Sequence, residues 1–261
     1  MSRAEIRRVD VKAKISDNRT DWVAKEKPFY VFLNKVHCVT IFCSPTNLKE
    51  LAIGHLLSEG LVKTLEEIKK LNLDSRKMTC RVELKGNVNA DTRLKLRSPL
   101  SRIIYSACGN RSPVQFLGKI PKVRSSLRVS SEIILESVRS LNSKAETFKK
   151  TGGVHAAGLH SGDGSVLAFA EDVGRHNAVD KVIGMGALDS TKFDECFLTT
   201  TGRLSGDVVL KAARTGIPIV ASLGAPLDSG VAVAKNSHVT LIGFVRGGRM
   251  NIYAFPERIR V

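Results

Sequence analysis

One cysteine lies among small, turn-forming residues in a positively charged part of the chain. Cys108 belongs to SACGNRSPVQ, residues 106–115, and Gly109 and Asn110 follow it directly. No Asp or Glu occurs between residues 92 and 131, whereas nine basic side chains do. Positive surroundings favour the thiolate form of cysteine, which is the nucleophile. The segment therefore predicts a reactive thiol, with a structural loop cysteine as the alternative.

The other four cysteines lie in apolar, strand-like runs. Cys38 and Cys43 belong to one predicted hairpin, Cys80 to KMTCRVEL and Cys196 to ECFLTTT. We expect these four to pack as small core hydrophobes. Five cysteines without paired spacing argue against a disulfide framework, so we expect a reducing, cytoplasmic environment.

The densest polar cluster is EDVGRHNAVDKVIG, residues 171–184, where a predicted strand ends and a predicted helix begins. His176 and Asp180, like Asn177 and Lys181, are four positions apart and therefore share a helical face. Polar side chains at such a point fit a ligand crevice in an open α/β sheet. Helix capping combined with surface ion pairs is the alternative, and the sequence leaves both open.

A second turn between a strand and a helix, TGRLSGD at residues 201–207, repeats this arrangement. It is not a P-loop, because the pattern G-x-x-x-x-G-K is absent. Backbone N–H groups at a helix start, with Arg203 beside them, suit an anionic group. Arg175 opens the preceding helix, and its role stays undetermined at this stage.

A histidine follows two glycines in TGGVHAAGLH, residues 151–160, where it could bind metal or transfer protons. Zinc deaminases carry H-x-E followed by P-C-x-x-C. Here the triplet is His155-Ala156-Ala157, and no later cysteine pair follows. The pattern argues against a zinc hydrolase and predicts no metal site, and a packed histidine is the alternative.

The stretch GFVRGGRM, residues 243–250, follows an apolar strand and could hold a phosphorylated heterocycle. Phe244 offers a ring for stacking, and Arg246 and Arg249 offer forked donors for phosphate. The pair Gly247-Gly248 lets another group approach the backbone closely. A two-glycine hairpin with solvated arginines is the alternative.

The net charge of +16 favours a polyanionic partner, either nucleic acid or a phosphorylated cofactor. No nucleic-acid-binding motif accompanies the charge. The chain has no run of 18 apolar residues, so we expect no transmembrane helix, and its first 20 residues lack the apolar stretch of a secretory signal.

The apolar patterning predicts an α/β protein. A hairpin over residues 29–43 precedes a helix over residues 48–60, and further strands are expected at residues 77–84 and 92–97. One long amphipathic helix is predicted over residues 130–150. Strands then alternate with helices up to a closing strand pair, which predicts a layer of mainly parallel strands. A domain boundary is expected in the basic segment.

Several blocks together resemble the FdhD family of sulfur carriers needed for formate dehydrogenase activity. The resemblance rests on EKP, SPTNLKELAIGHLLSEG, ACG, TGGVHAA, EDVGRHNAVDKVIG, TGRLS and GFVRGGR. It implies a sulfurtransferase that accepts sulfur from a cysteine desulfurase as a persulfide. The acceptor would be the molybdenum or tungsten bis(molybdopterin guanine dinucleotide) cofactor, with GDP as a partial mimic.

The resemblance also assigns site residues and a fold. The persulfide cysteine corresponds to Cys108, and the cofactor-binding segment corresponds to Phe244, Val245, Arg246, Gly247, Gly248 and Arg249. An N-terminal α+β domain over residues 1–125 and a cytidine-deaminase-like three-layer α/β domain over residues 126–261 are expected. Expected partners are a second copy of the chain, a cysteine desulfurase and formate dehydrogenase, with neither nucleic acid nor membrane.

One departure from the family pattern concerns its second cysteine. The family usually carries C-G-x-C-G, whereas Arg111 stands at the second position here. A single cysteine can hold and donate a persulfide, and Arg111 could stabilise its thiolate. The departure also supports an alternative in which the protein delivers the cofactor without transferring sulfur. A nucleic-acid binder, inferred from charge alone, is the third hypothesis.

Overall fold

The computed structural model describes residues 1–86, 88, 103–104 and 120–261. Cys108 and the strand predicted at residues 92–97 lie outside the described residues. The strands of the described part are β1 (Ser2–Asp10), β2 (Ile15–Val23), β3 (Lys27–Leu33), β4 (Val36–Cys43), β5 (Ile68–Asp74), β6 (Thr79–Leu84), β7 (Ile103–Ile104), β8 (Val129–Ser130), β9 (His155–Ser161), β10 (Val166–Asp172), β11 (Cys196–Thr200), β12 (Ile219–Ser222), β13 (Thr240–Arg246), β14 (Arg249–Ala254) and β15 (Ile259–Arg260). The α-helices there are α1 (Leu48–Ser58), α2 (Ser131–Lys144), α3 (Glu146–Thr151), α4 (Arg175–Leu188), α5 (Gly206–Thr215) and α6 (Asp228–Ser237).

A six-stranded sheet in the order β10-β9-β11-β12-β13-β14 forms the centre of the second half of the chain. The pairs β11–β12 and β12–β13 are parallel, because α5 and α6 carry the chain back between them. The other three pairings are antiparallel. The α/β class is confirmed, but the prediction of mainly parallel strands is wrong for the described strands. Short turns at β9–β10 and β13–β14 reverse the chain direction, and apolar runs do not reveal direction.

A five-stranded sheet in the order β5-β6-β3-β4-β7 belongs to the first half. The predicted hairpin is confirmed as β3 and β4, which pair antiparallel from Lys27–Cys43 to Leu33–Val36. Its two turn residues, Asn34 and Lys35, have φ of 47° and 69°. This left-handed pair matches the twist of the flanking strands.

The long helix predicted over residues 130–150 is wrong in one respect, because it breaks at Ala145. The backbone there has φ −77° and ψ 75°, and the methyl group packs against Leu141 and Ala156. A new helix, α3, starts at the next residue. Its first amides, those of Thr147 and Phe148, donate to the Glu171 carboxylate at 2.9 and 2.8 Å. A partner more than twenty residues away thus stabilises a helix start that local periodicity cannot reveal.

The two halves of the described chain share one large apolar cluster. It contains Phe29 and Leu51 from the first half and Ile183 and Leu210 from the second. Helix α1 packs on α4 so closely that a Cβ on Gly54 would overlap the carbonyl of Asp180. The division into residues 1–125 and 126–261 stays a prediction.

Strands β1 and β2 form an exposed hairpin at the start of the chain, with residues 2–10 paired to residues 15–23. Every residue of β2 is exposed, and β1 has no buried residue. None of the helices in the described part is both long and apolar enough to cross a bilayer.

Candidate functional site at the carboxyl edge of the central sheet

The three parallel strands β11, β12 and β13 end at the same edge of the central sheet. The loop at residues 201–205 leaves β11, and the loop at residues 223–227 leaves β12. In open α/β sheets this edge is where ligands bind. Both predicted ligand-binding turns, the one after β11 and the GFVRGG stretch, therefore belong to one edge.

The loops after β11 and β12 are held together by backbone and hydroxyl contacts. The hydroxyl oxygen of Ser222 lies 2.9 Å from the Thr200 carbonyl and 2.6 Å from the Gly202 carbonyl, and it accepts from the amide of Gly224 at 2.9 Å. A Cβ on Gly224 would lie 2.8 Å from the Gly202 carbonyl oxygen and 3.3 Å from the Arg203 nitrogen. Only a residue without a side chain permits this approach.

Phe244 joins this edge through an irregularity in β13. Its amide donates to the Gly224 carbonyl at 3.1 Å, and its φ of 54° lies in the left-handed region. The pairing of β13 with β14 shifts register between Gly243 and Arg246, which is the mark of a bulge. Bulges re-aim side chains and are frequent beside functional sites. Strain of this kind in a bulky residue is often retained for function.

The glycine pair of the predicted cofactor segment forms a tight hairpin turn. Gly247 and Gly248 have φ of 61° and 76°, and no heavy atom would touch a Cβ at either position. Arg246 and Arg249 pair across the turn and are exposed, and the Arg246 guanidinium lies 5.7 Å from the Phe244 ring centre. The two-glycine hairpin is therefore real, while a ligand-binding role for these residues stays a prediction.

Val245 differs from its neighbours in the same segment. Its side chain is 1% exposed and packs in an apolar cluster with Phe197 and Ile242. Only its backbone is left for contact with a ligand.

Three of the residues whose roles were open form a basic cluster. The pKa of His155 lies below its usual value, first because the ring is partly buried and then because the Arg175 and Arg203 guanidinium groups are near. Its Nδ1 lies 3.3 Å from the Thr201 hydroxyl. A Cβ on Gly202 would lie 2.8 Å from the Arg175 Cβ, so the loop after β11 rests on Arg175. His155, Arg175 and Arg203 together make up this basic cluster.

His176 lies next to the basic cluster but is closed off from solvent. Burial and the neighbouring Arg175 and Lys211 lower its pKa to about 3. Its Nε2 lies 3.4 Å from the Ser205 hydroxyl. The ring is therefore neutral at physiological pH and connects the first turn of α4 to the loop that precedes α5.

A buried ion pair sets the start of α4. Lys181 and Asp172 are fully buried and lie 2.7 Å apart. The Asp172 carboxylate also accepts from the amide of Gly174 and from Asn177 Nδ2, both at 2.9 Å. The alternative of surface ion pairs is therefore wrong for Asn177 and Lys181, because both side chains contact the buried Asp172 carboxylate inside the fold. It holds the turn that positions Arg175 and His176.

Asp180 does not reach the sheet edge. Its carboxylate contacts Lys211 Nζ at 2.9 and 3.0 Å and Ser58 at 2.6 Å, and it lies 3.2 Å from His55 Nδ1. Burial acts to raise the pKa of Asp180, but Lys211 and the hydrogen bond with His55 outweigh it and lower that pKa. This network joins α1, α4 and α5 and is structural.

Sequence reasoning missed the loop after β12 and the ion network. Ser222 and Gly224 lie in ASLGAP, where a small polar residue and a glycine follow an apolar strand, and that signal could have marked the loop. His55, Lys211 and Glu59 carried no local signal, because their partners are far along the chain. Within the described part of the chain, no three His, Cys, Asp or Glu side chains group as metal ligands would.

Comparison with known proteins identifies relatives over almost the whole chain. The family model described as "FdhD/NarQ family" matches residues 24–260. A protein named "Sulfur carrier protein FdhD" from Bacillus subtilis is 35% identical over 243 residues, covering 92% of this chain and 91% of that protein. Its namesake from Sulfolobus acidocaldarius is 34% identical and covers 98% and 99% of the two chains.

A solved structure has the same fold. It is a crystal structure from Desulfotalea psychrophila, described as a formate dehydrogenase accessory protein, and superposes with a TM-score of 0.78 at 28% sequence identity. The match covers 99% of each chain.

Proposed function

The chain belongs to the FdhD/NarQ family, and on that premise we propose that it is a sulfur carrier and sulfurtransferase that serves formate dehydrogenase. Sulfur would pass from a cysteine desulfurase to Cys108. From there it would pass to the molybdenum or tungsten bis(molybdopterin guanine dinucleotide) cofactor, which is the substrate. The cofactor would be received by Phe244, Val245, Arg246, Gly247, Gly248 and Arg249.

The observation that supports Cys108 most directly is the burial of the other cysteines. Cys38, Cys43, Cys80 and Cys196 are all buried. Burial raises the thiol pKa of Cys43 and Cys80 to about 12 and that of Cys196 to about 11. Such thiols are neutral at physiological pH and out of reach of a donor protein. Cys108, the fifth cysteine, lies in the acid-free basic segment.

The loading step is an exchange between sulfur atoms. The Cys108 thiolate attacks the terminal sulfur of the donor's cysteine persulfide, a new S–S bond forms, and the donor's S–S bond breaks. The donor cysteine leaves as a thiolate, so no oxidant or reductant is consumed. Arg111 and the other basic residues of the segment would favour the attacking thiolate by charge.

The test is to load the protein with labelled sulfur from a cysteine desulfurase and cysteine, and then to map the label by digestion. We expect the label on the Cys108 peptide and its loss in Cys108→Ala. The matched control is Cys80→Ala, which removes a fully buried thiol and should load normally. Label retained by Cys108→Ala would contradict sulfur transfer through this residue.

The second candidate is a protein that delivers the cofactor without transferring sulfur. Its support is Arg111, which stands where the family pattern has a second cysteine. In that case Cys108→Ala would restore formate dehydrogenase activity in a strain lacking the protein, whereas Phe244→Ala would not. Sulfur transfer requires that both variants fail.

We expect a cytoplasmic protein that forms a homodimer, with the desulfurase and formate dehydrogenase as its other partners. Nucleic acid is not expected, because no nucleic-acid-binding motif accompanies the positive charge. Size-exclusion chromatography with light scattering tests the dimer directly.

A further inference from the structure

The hairpin of β1 and β2 has one edge that no described strand covers. Strand β2 pairs with β1 from Ile15 to Val23, and among the strands of the described residues none lies on its other side. All nine residues of β2 are exposed. A two-stranded hairpin is only marginally stable in water, and an open strand edge is a template for pairing with another chain. A long open edge of this kind indicates a partner that pairs with β2.

Apolar side chains are exposed at both ends of this hairpin. At the turn, Val11 and Ile15 are 82% and 64% exposed. At the opposite end, Trp22 and Val23 are 39% and 41% exposed, and the Arg3 guanidinium lies 5.1 Å from the centre of the Trp22 ring. The nine residues of β2 place these two ends about 27 Å apart. A partner that covers β2 along its length would therefore bury apolar surface at both ends.

The charges in the middle of β2 complement a second copy of the same strand. Asp17 and Arg19 lie on either side of Asn18, and within one chain their side chains form an exposed ion pair. When two β2 strands pair antiparallel about a two-fold axis at Asn18, Asp17 lies opposite the partner's Arg19, and the axis repeats this contact. Four alternating charges then surround the axis. Opposite charges directly across a strand pair stabilise the pairing, whereas like charges destabilise it.

The position of the axis also decides what meets at the ends of the two hairpins. With the axis at Asn18, the turn of each hairpin lies beside Trp22 of the partner subunit, so the exposed apolar ends cover each other. A shift of the axis by one residue would place Arg19 opposite the partner's Arg19 and Asp17 opposite the partner's Asp21. Because like charges across a strand pair are unfavourable, the order of charges in β2 favours the axis at Asn18 over the axis at Arg19.

We propose that the open edge of β2 is an interface with a second copy of this chain, in which two hairpins pair antiparallel about Asn18 to form one four-stranded sheet. The inference rests on the homodimer of the proposed function, and it goes further by naming the surface that holds the two copies together. This surface lies outside the family model, which begins at residue 24, directly after β2 ends. In such strand addition, backbone hydrogen bonds supply affinity and side chains supply specificity.

The experiment reverses the two charges one at a time and measures the mass of the full chain by light scattering over a series of concentrations. In Asp17→Arg and in Arg19→Asp, like charges meet twice across the axis, so we expect the dimer dissociation constant to rise by about thirtyfold or more. An equimolar mixture of the two variants should recover the dimer, because every arginine then faces an aspartate. The matched control is Glu136→Arg, which reverses one charge of an exposed ion pair on α2 and should keep the wild-type constant.

Tryptophan fluorescence measures the same contact from within the hairpin, because Trp22 is the only tryptophan of the chain. Its emission should move to shorter wavelength as the wild-type protein dimerises, since the partner's hairpin takes the ring out of water. The same shift should appear in the mixture of the two variants. Neither variant by itself should show it over the same concentrations.

Three outcomes would overturn the inference. Wild-type dimerisation in both Asp17→Arg and Arg19→Asp would place the contact elsewhere, and it would leave the proposed homodimer intact. A wild-type protein that stays monomeric over the whole series would remove the homodimer and this interface together. A mixture that stays monomeric, although both variants keep the wild-type circular dichroism spectrum, would remove the pairing about Asn18.

Discussion

Phe244 holds a backbone conformation that costs a bulky residue about 1–2 kcal/mol, whereas a glycine adopts it freely. The neighbouring Gly247 and Gly248 have the same sign of φ without that cost. The strained ring lies beside a bulge at the candidate site, where we predict that it stacks on a planar ligand.

Two substitutions of Phe244 separate the effect of the aromatic ring on ligand binding from the effect of the backbone strain on stability. Phe244→Ala and Phe244→Gly both remove the stacking surface, so both should weaken guanosine binding by about tenfold or more. Only glycine also relieves the backbone strain, so Phe244→Gly should have the higher free energy of unfolding of the two, by about 1 kcal/mol. Calorimetric titration and urea denaturation measure these quantities. Equal guanosine binding by wild type and both variants would contradict stacking.

At the scale of elements, the helices are fixed by charges inside the fold. Lys211 on α5 bridges Asp180 on α4 and Glu59 at the end of α1, all nearly excluded from solvent. Removing one partner leaves the other charge buried and uncompensated. The network therefore determines how α4, and with it Arg175 and His176, is placed relative to the sheet edge.

We expect Asp180→Asn to lower the free energy of unfolding by about 3–5 kcal/mol, the usual cost of breaking a buried pair. The double variant Asp180→Asn with Lys211→Met should recover part of that loss, because the unpaired ammonium is gone. Chemical denaturation of the wild type, Asp180→Asn, Lys211→Met and the double variant checks this. A double variant less stable than the sum of the single losses would contradict direct coupling.

The lowered pKa of Asp180 predicts how the stability of the protein depends on pH in acid. The folded pKa of Asp180 is below the ordinary value of 3.8, so its stabilising contribution is complete above about pH 4. It is lost as the pH falls through the lowered folded value. The stability difference between wild type and Asp180→Asn should therefore be constant near neutral pH and should shrink only below about pH 4.

At the scale of the whole molecule, the two halves of the described chain are joined through glycines. Gly54 on α1 meets the backbone of Asp180 on α4, and Gly184 on α4 meets the backbone of Glu50 on α1. A helix pair this close leaves no room for a methyl group. The first-half helix thereby supports the helix that carries Arg175 into the candidate site.

Gly54→Ala should therefore destabilise the whole chain by about 3 kcal/mol or more, since overpacking costs at least 1–3 kcal/mol and here the obstacle is backbone. The control is Gly86→Ala, where a Cβ would meet nothing within 4 Å. Differential scanning calorimetry of both variants measures the effect. Similar transition temperatures for the two would show that α1 and α4 separate easily to accommodate the methyl group.

The net charge of +16 is also a property of the whole molecule. Among the described residues, several charges are neutralised inside the fold, including Lys181 by Asp172 and Lys211 by Asp180 and Glu59. Of the basic residues at the sheet edge, Arg203, Arg246 and Arg249 are exposed. Charge count alone therefore predicts a polyanionic partner without indicating the place.

The local pattern of the sequence was sufficient for most elements of the second half. The predicted alternation of strands and helices up to a closing strand pair matches β9 to β14 and α4 to α6, because apolar period two or period 3.6 reports one buried face directly. The blocks that carry the family resemblance were also readable without coordinates. They identified Phe244 to Arg249 as a ligand-binding segment and Cys108 as a nucleophile, both of which stay predictions.

Tertiary structure alone decided strand direction, the break at Ala145 and the grouping of His155 with Arg175 and Arg203. Each depends on groups far apart in sequence: Glu171 supports α3, and Gly202 rests on Arg175. A residue's own neighbours in the chain determine which face it buries. Its partners across the fold determine whether a charge becomes part of a buried network, like Asp180, or stays exposed at the edge of the sheet, like Arg203.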